Sequence, residues 1–97
     1  MLFVILNEDK PGSFDLRMSA RPKHLVWLEE KVADLIMVGP MLDEEGKPKG
    51  SVLIVDKPDL EAARAFAAAD PYVEAGLFAR STVSPFRTVY KDGAKVG

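Results

Sequence analysis

Ninety-seven residues support one compact domain with room to bury a core without covalent staples. The chain has no cysteine and a single histidine, which excludes disulfide frameworks, thiolate metal sites, cysteine nucleophiles and any multi-histidine metal site within one chain. Thirteen basic against fifteen acidic side chains give a net charge of −2 with the signs interspersed, so there is no electrostatic case for a nucleic-acid partner.

The apolar run Leu2 to Leu6 has no basic segment before it and acids soon after it, and at that length it reads as a buried strand. Neither a signal peptide nor a membrane span is expected, and the cytoplasm is the expected location. N-E-D-K-P-G-S, from Asn7 to Ser13, reads as a loop. Ser13 or Ser19 can cap a helix. Pro22 is tolerable only in a first turn, so the main helix is placed from Ser19 or Ala20 to Ala33, with a short turn at Phe14 to Met18 before it. Leu25, Leu28, Val32 and Leu35 then form its buried stripe.

Leu35 to Met41 is a second strand candidate, interrupted at Gly39-Pro40. D-E-E-G-K-P-K-G is a hairpin loop, and Ser51 to Val55 a third strand. Pro58 opens a second helix through the alanine-rich stretch that Pro71 closes. Leu77 to Val83 is the last strand, with an extension towards Tyr90. One domain spans residues 1–90, and residues 91–97 are expected to fray.

This β-α-β-β-α-β order is that of an α+β, ferredoxin-like sandwich, an antiparallel four-stranded sheet with both helices on one face. Leu2, Val4 and Leu6 alternate with Phe3 and Ile5, and Val52 and Ile54 with Leu53 and Val55, so both sheet faces are apolar. Two helices cover one face. A second copy of the chain, packed by two-fold symmetry, is expected on the other.

His24 falls at the rim of the Leu25/Leu28/Val32 stripe. It reads either as a boundary histidine bonded to backbone or solvent, or as a general acid or base, since imidazole titrates near neutrality. Trp27, about 120° or more from the middle of the stripe at 100° per residue, is expected on an outer surface or against another chain. Asp70 falls on the apolar face of the second helix, at an end where the dipole disfavours an anion and directly before Pro71. It is either a turn residue or a carboxylate kept for a specific partner. Side-by-side helices would let it meet His24, fix the imidazole tautomer and leave the other ring nitrogen for a substrate proton.

Arg17 and Arg21, four residues apart, oppose the helix dipole and read either as solvated charges or as binders of an anionic substrate group. Gly39-Pro40 requires a special backbone and is expected to shape a pocket wall or a strand bend. No phosphate-binding glycine loop and no metal-ligand spacing occurs, so neither metal nor organic cofactor is expected.

Several of these segments carry a family resemblance: M-L-F-V-I-L-N-E-D-K-P-G-S at the N-terminus, R-x-x-x-R-P-x-H-L from Arg17 to Leu25, Gly39-Pro40, L-E-A-A-R-A-F-A-A-A-D-P-Y from Leu60 to Tyr72, Ala75-Gly76, and S-P-F from Ser84 to Phe86. Together they resemble the YCII-related (YciI-like) family of the dimeric α/β-barrel superfamily, over nearly the whole chain. The resemblance implies a dimeric ferredoxin-like domain with a histidine-aspartate active site, which maps onto His24 and Asp70. It also implies kinship with a dehydrochlorinase acting on a chlorinated hydroxyhydroquinone and, more distantly, with muconolactone isomerases. Asp34 stands where the family pattern has a glycine at the helix end, which leaves that terminus open.

Three functions follow as expectations. The first is a cofactor-independent lyase or isomerase acting on a small cyclic or enolisable substrate, with His24 and Asp70 catalytic, Arg17 or Arg21 steadying negative charge, and Gly39, Pro40 and Tyr72 lining the pocket. The second is a module that binds a small ligand without turnover. The third is a structural dimer in which His24 and Asp70 merely bond two helices together.

Overall fold

The computed structural model describes all 97 residues. In chain order it contains β1 (Leu2–Asp9), α1 (Phe14–Glu30), a 3-10 turn (Val32–Asp34), β2 (Leu35–Leu42), β3 (Pro48–Asp56), α2 (Leu60–Ala68), the short α3 (Pro71–Glu74), β4 (Phe78–Phe86) and a C-terminal hairpin of β5 (Tyr90–Lys91) and β6 (Ala94–Lys95). The four long strands form one antiparallel sheet in the order β2-β3-β1-β4. This is the ferredoxin-like α+β sandwich, with its helices on one face. No helix is long and apolar enough to cross a membrane.

The period-2 pattern of the central strands sets the faces. Phe3, Ile5, Leu53 and Val55 are buried under the helices together with Trp27, Ala63, Phe66 and Ala67. Each large apolar side chain in this cluster contributes about 1.5–3 kcal/mol by leaving water. Asp59 caps α2 by accepting from the Ala62 N–H at 2.8 Å, which fits the preference for a short oxygen-bearing side chain there.

Several expected boundaries move. β1 runs on through Asn7, Glu8 and Asp9, against the loop expected there, because they pair with β3 and β4 and the Asn7 and Asp9 side chains are buried on the helix-covered face, whereas Glu8 points to the outer one. The main helix starts at Phe14, five or six residues before the expected start, and Pro22 lies well inside it. Proline removes one N–H but keeps a helical φ, and the turns on both sides hold the helix across the gap. Ser13 precedes the helix without a side-chain cap bond, and the Ser19 hydroxyl bonds back to the Leu16 carbonyl within it. α1 ends at Glu30, and the 3-10 turn through Asp34 replaces a glycine-terminated end.

β2 is continuous through Gly39-Pro40, and Gly39 has ordinary backbone geometry. Pro40 is accommodated because β2 is an edge strand. The tight position is Gly50 instead, where an added Cβ would collide with the Asn7 carbonyl oxygen and the Met41 methyl. Residues 91–97, expected to fray, contribute to the small hairpin, and the Val96 N–H bonds the Val89 carbonyl at 2.7 Å.

The buried face of α1 is not the leucine stripe. Leu25 is 43% exposed and Val32 66%, whereas Arg17, His24 and Trp27 are buried. The real face is centred near His24, about 70° round the helix from the expected stripe at 100° per residue. Trp27, expected outside, is therefore in the core, with its ring 4.8 Å from that of Phe66.

Candidate active site

α1 and the start of α3 build the site. Asp70 does not end α2, which stops at Ala68 with Ala69 as its cap; it is the N-cap of α3. Its Oδ1 accepts from the Tyr72 N–H at 2.9 Å, and Pro71 follows at the first helical position. Aspartate before proline is thus locally favourable here, and the conflict with a helix dipole inferred from the sequence disappears. The same Oδ1 lies 2.9 Å from His24 Nδ1. His24 is 6% exposed and Asp70 2%.

With the carboxylate accepting, Nδ1 carries the ring proton and Nε2 is left with a lone pair. Asp70 Oδ2 is the sole sealed side-chain nitrogen or oxygen without a hydrogen bond. His24 Nε2 has no protein partner either, so it must be open to solvent space. That space is a cavity of about 160 Å³ bounded by Arg17, Arg21, His24, Gly39, Pro40 and Tyr72, among others, and floored in part by Ser51. Six of the seven residues singled out from the sequence thus border one hollow, and the seventh, Asp70, stands behind His24.

A column of flat groups stabilises the imidazole. The Tyr72 ring stacks on His24 with centroids 4.0 Å apart and planes 19° from parallel, and the Arg17 guanidinium lies 4.7 Å from the Tyr72 centroid. Arg17 is in turn gripped by Asp9, with Nε 2.7 Å from Oδ2 and Nη2 3.0 Å from Oδ1. A register shift at Glu8/Asp9 between β1 and β4 lies beside this pair, and such irregularities commonly re-aim side chains next to sites. Burial works against the Arg17 charge, but the hydrogen bonds and charge of Asp9, with a further contribution from Tyr72, hold it above the ordinary guanidinium value.

Arg21 differs from Arg17. It is exposed, borders the cavity and forms no ion pair. The two arginines, equivalent in the sequence, are therefore a structural cation and a free one. Arg17 retains Nη1, which has no protein acceptor and is not sealed.

Burial, with the Asp70 and Asp9 charges adding to it and Arg17 and Arg21 opposing it, pushes the Tyr72 phenol above its ordinary value. Below that ordinary value Tyr72 is protonated in folded and unfolded chains alike, and nothing is lost. Above it the unfolded chain gives up the proton first, so stability declines as pH rises towards the folded value. Tyr72→Phe should flatten that alkaline decline. Urea midpoints of both proteins at about pH 9 and about pH 11, either side of the ordinary phenol value, measure it; parallel declines would contradict the assignment.

The family model for the YCII-related domain matches residues 1–87. The chain belongs to the YCII-related family. The protein YciI of Escherichia coli O6:H1 is 39% identical over 98 aligned positions, which cover 93% of this chain and all of the relative. An uncharacterized protein of Haemophilus influenzae is 37% identical over the same span. Among solved structures, the 5-chloro-2-hydroxyhydroquinone dehydrochlorinase of Burkholderia phenoliruptrix AC1100, in complex with 2,5-dihydroxybenzoquinone, superposes with a TM-score of 0.83. It is 33% identical, and the match covers 90% of this chain and 94% of that one.

Sequence reasoning missed three side chains of this YCII-related site: Asp9, Asn7 and Ser51. Asn7 and Asp9 were assigned to a loop, and Ser51 to the start of a strand with no role. The available signal was strand parity. Once β1 is extended past Leu6, Asn7 continues the Phe3-Ile5 face and Ser51 continues the Leu53-Val55 face. No cluster of three or more histidine, aspartate or glutamate side chains positioned for a metal occurs anywhere in the chain.

Proposed function

We propose that this YCII-related protein is a small acid/base enzyme of the lyase or isomerase kind. His24 Nε2 exchanges a proton with a small cyclic or enolisable substrate in the cavity. The observation that carries the reading is the 2.9 Å His24–Asp70 contact, which commits Nδ1 and leaves Nε2 facing open space. Asp70 fixes the tautomer and stabilises the imidazolium formed when Nε2 takes a proton. Arg21, with Arg17 Nη1, steadies the negative charge that appears on a substrate oxygen, and Tyr72 walls the cavity.

The dehydrochlorinase among the similar structures supports both the substrate class and the chemistry. For such a substrate, one hydroxyl proton is removed and a proton is delivered to the chlorine-bearing ring carbon, giving the keto tautomer. Removal of a second hydroxyl proton then drives an electron pair through the ring to form the second carbonyl as chloride leaves that carbon. The net change is loss of HCl, with no oxidant consumed.

The test is chloride release from 5-chloro-2-hydroxyhydroquinone together with calorimetric binding of 2,5-dihydroxybenzoquinone. Turnover at a rate that saturates with substrate supports the enzyme. Saturable binding without turnover makes the protein a ligand-binding module instead, and absence of both removes the reading of the cavity.

A second copy of the chain is proposed to cover the outer sheet face. Leu2, Val4, Leu6, Val52 and Ile54 lie there on the two central strands, flanked by Met37 and Phe86, which are 68% and 41% exposed. A contiguous apolar surface of this kind is unusual on a monomer, and a two-fold pair would bury it against itself. Light scattering at micromolar concentration should return twice the chain mass; a single-chain mass would contradict it.

A further inference from the structure

The sheet face beneath the helices is not uniformly apolar. One residue from each strand lines up across it as Pro40, Ser51, Asn7 and Ser81, at the level of the cavity. The adjacent row, Val38, Leu53, Ile5 and Val83, is entirely aliphatic. Asn7 and Ser51 are each 2% exposed. Two buried polar side chains at the centre of a sheet bring no gain in stability over aliphatic ones, so the row requires another reason.

The directions of its hydrogen bonds supply that reason. Ser81 Oγ lies 2.6 Å from Asn7 Oδ1, a separation in the range of O–H···O bonds and shorter than N–H···O bonds normally reach. The Ser81 hydroxyl therefore donates, and the Asn7 amide is oriented with its oxygen towards β4. Its Nδ2 then faces Ser51 Oγ, at a long 3.5 Å. An amide nitrogen only donates. Ser51 is thus approached from its accepting side, and its hydroxyl, which donates to no protein acceptor, is free to turn its hydrogen to the cavity that Ser51 borders.

We infer that Ser51 is a specificity-determining hydrogen-bond donor to the ligand, oriented by the Ser81–Asn7 pair. This deepens the function proposed above and rests on it. The cavity then presents a proton acceptor, His24 Nε2; a neutral donor on its sheet side, the Ser51 hydroxyl, with the Tyr72 phenol on its helix side; and cationic N–H groups from Arg21 and Arg17 Nη1. That set selects a ligand carrying a removable hydroxyl proton and a separate acceptor oxygen. A cavity of about 160 Å³ is close to the engineered 150 Å³ cavity that takes benzene. The ligand class is accordingly a single-ring hydroxy-carbonyl or its enolate.

The experiment is calorimetric titration of 2,5-dihydroxybenzoquinone into the wild type, Ser51→Ala and Ser51→Cys, with phenol as a ring lacking the second oxygen. Ser51→Ala should weaken the dihydroxybenzoquinone about 10- to 100-fold, as expected for a donor lost to a charged acceptor. Ser51→Cys, a weaker donor of similar shape, should fall between, and phenol affinity should not change. A merely structural serine would alter both ligands alike or neither. Equal dihydroxybenzoquinone affinity in wild type and Ser51→Ala overturns the assignment while leaving the His24 reading intact. A wild type that fails to bind the quinone at millimolar concentration overturns both.

Discussion

His24→Asn should lower chloride release from 5-chloro-2-hydroxyhydroquinone by about 10²–10⁴-fold, the usual contribution of a positioned acid or base, at modest cost in stability. Asparagine is more informative than alanine because of what surrounds the ring. The imidazole is 6% exposed and stacked on Tyr72 at 4.0 Å, so alanine would open a void and confuse folding with chemistry. The asparagine amide nitrogen falls near the position of Nδ1 and can still donate to Asp70 Oδ1. What disappears is Nε2 and the ring stacking, the latter worth about 0.5–1.5 kcal/mol. Asp70→Asn is the matching change. Oδ1 already accepts from both His24 and the Tyr72 N–H, so an amide oxygen in its place preserves the α3 cap and the imidazole tautomer. The charge is removed and an amide nitrogen takes the sealed, unpartnered place of Oδ2, so some stability is lost as well, and the loss of rate should be nearer tenfold, the difference between charged and neutral hydrogen bonds. Turnover in His24→Asn within about threefold of wild type, a change below the scale of a single lost hydrogen bond, would reduce the pair to a buried tether between two helices.

The fold was legible because its signals are local and redundant: an apolar run at Leu2–Leu6, alternation at Ser51–Val55, and an alanine-rich helix bounded by Pro58 and Pro71. The pairing of His24 with Asp70 was legible for a partly mistaken reason. Asp70 looked anomalous as the end of a helix, whereas it is the favoured cap of the next one, and its second role is visible only in three dimensions. The orientation of α1 was not legible. Its inner face carries Arg17 and His24, so polar residues occupy the positions that periodicity reserves for a core. Leu25 and Val32 offered a false stripe. A helix that contributes its buried face to a site weakens the very pattern used to orient it. The roles of Arg17 and Arg21 were likewise beyond the sequence, because what separates them is Asp9, eight residues from Arg17 at the end of a strand whose last residues look like loop in the sequence.

Asp9→Ala should destabilise the fold by about 3–5 kcal/mol, the cost of leaving one member of a buried ion pair alone. The Arg17 and Asp9 side chains are only 5% and 6% exposed, but Arg17 borders the cavity and Asp9 a second hollow, so water reaches the pair from one side and the cost should fall at the lower end of that range. Without the carboxylate, the guanidinium either stays unpaired against Tyr72 or swings out and takes the stacking with it. In both cases the Tyr72–His24 column loosens, and ligand affinity should fall although Asp9 itself does not border the cavity. For a domain of this size each kcal/mol corresponds to about 4–8 °C in melting temperature, so the variant should be visibly compromised at ordinary growth temperatures. Adding Arg17→Met to Asp9→Ala removes the stranded charge and leaves an apolar chain over the tyrosine ring. The double variant should therefore recover part of the loss in urea unfolding, because apolar replacement of a whole buried pair is often neutral or better. Additive losses in the double variant would show instead that Asp9 acts through the bend in β1, not through the arginine it grips.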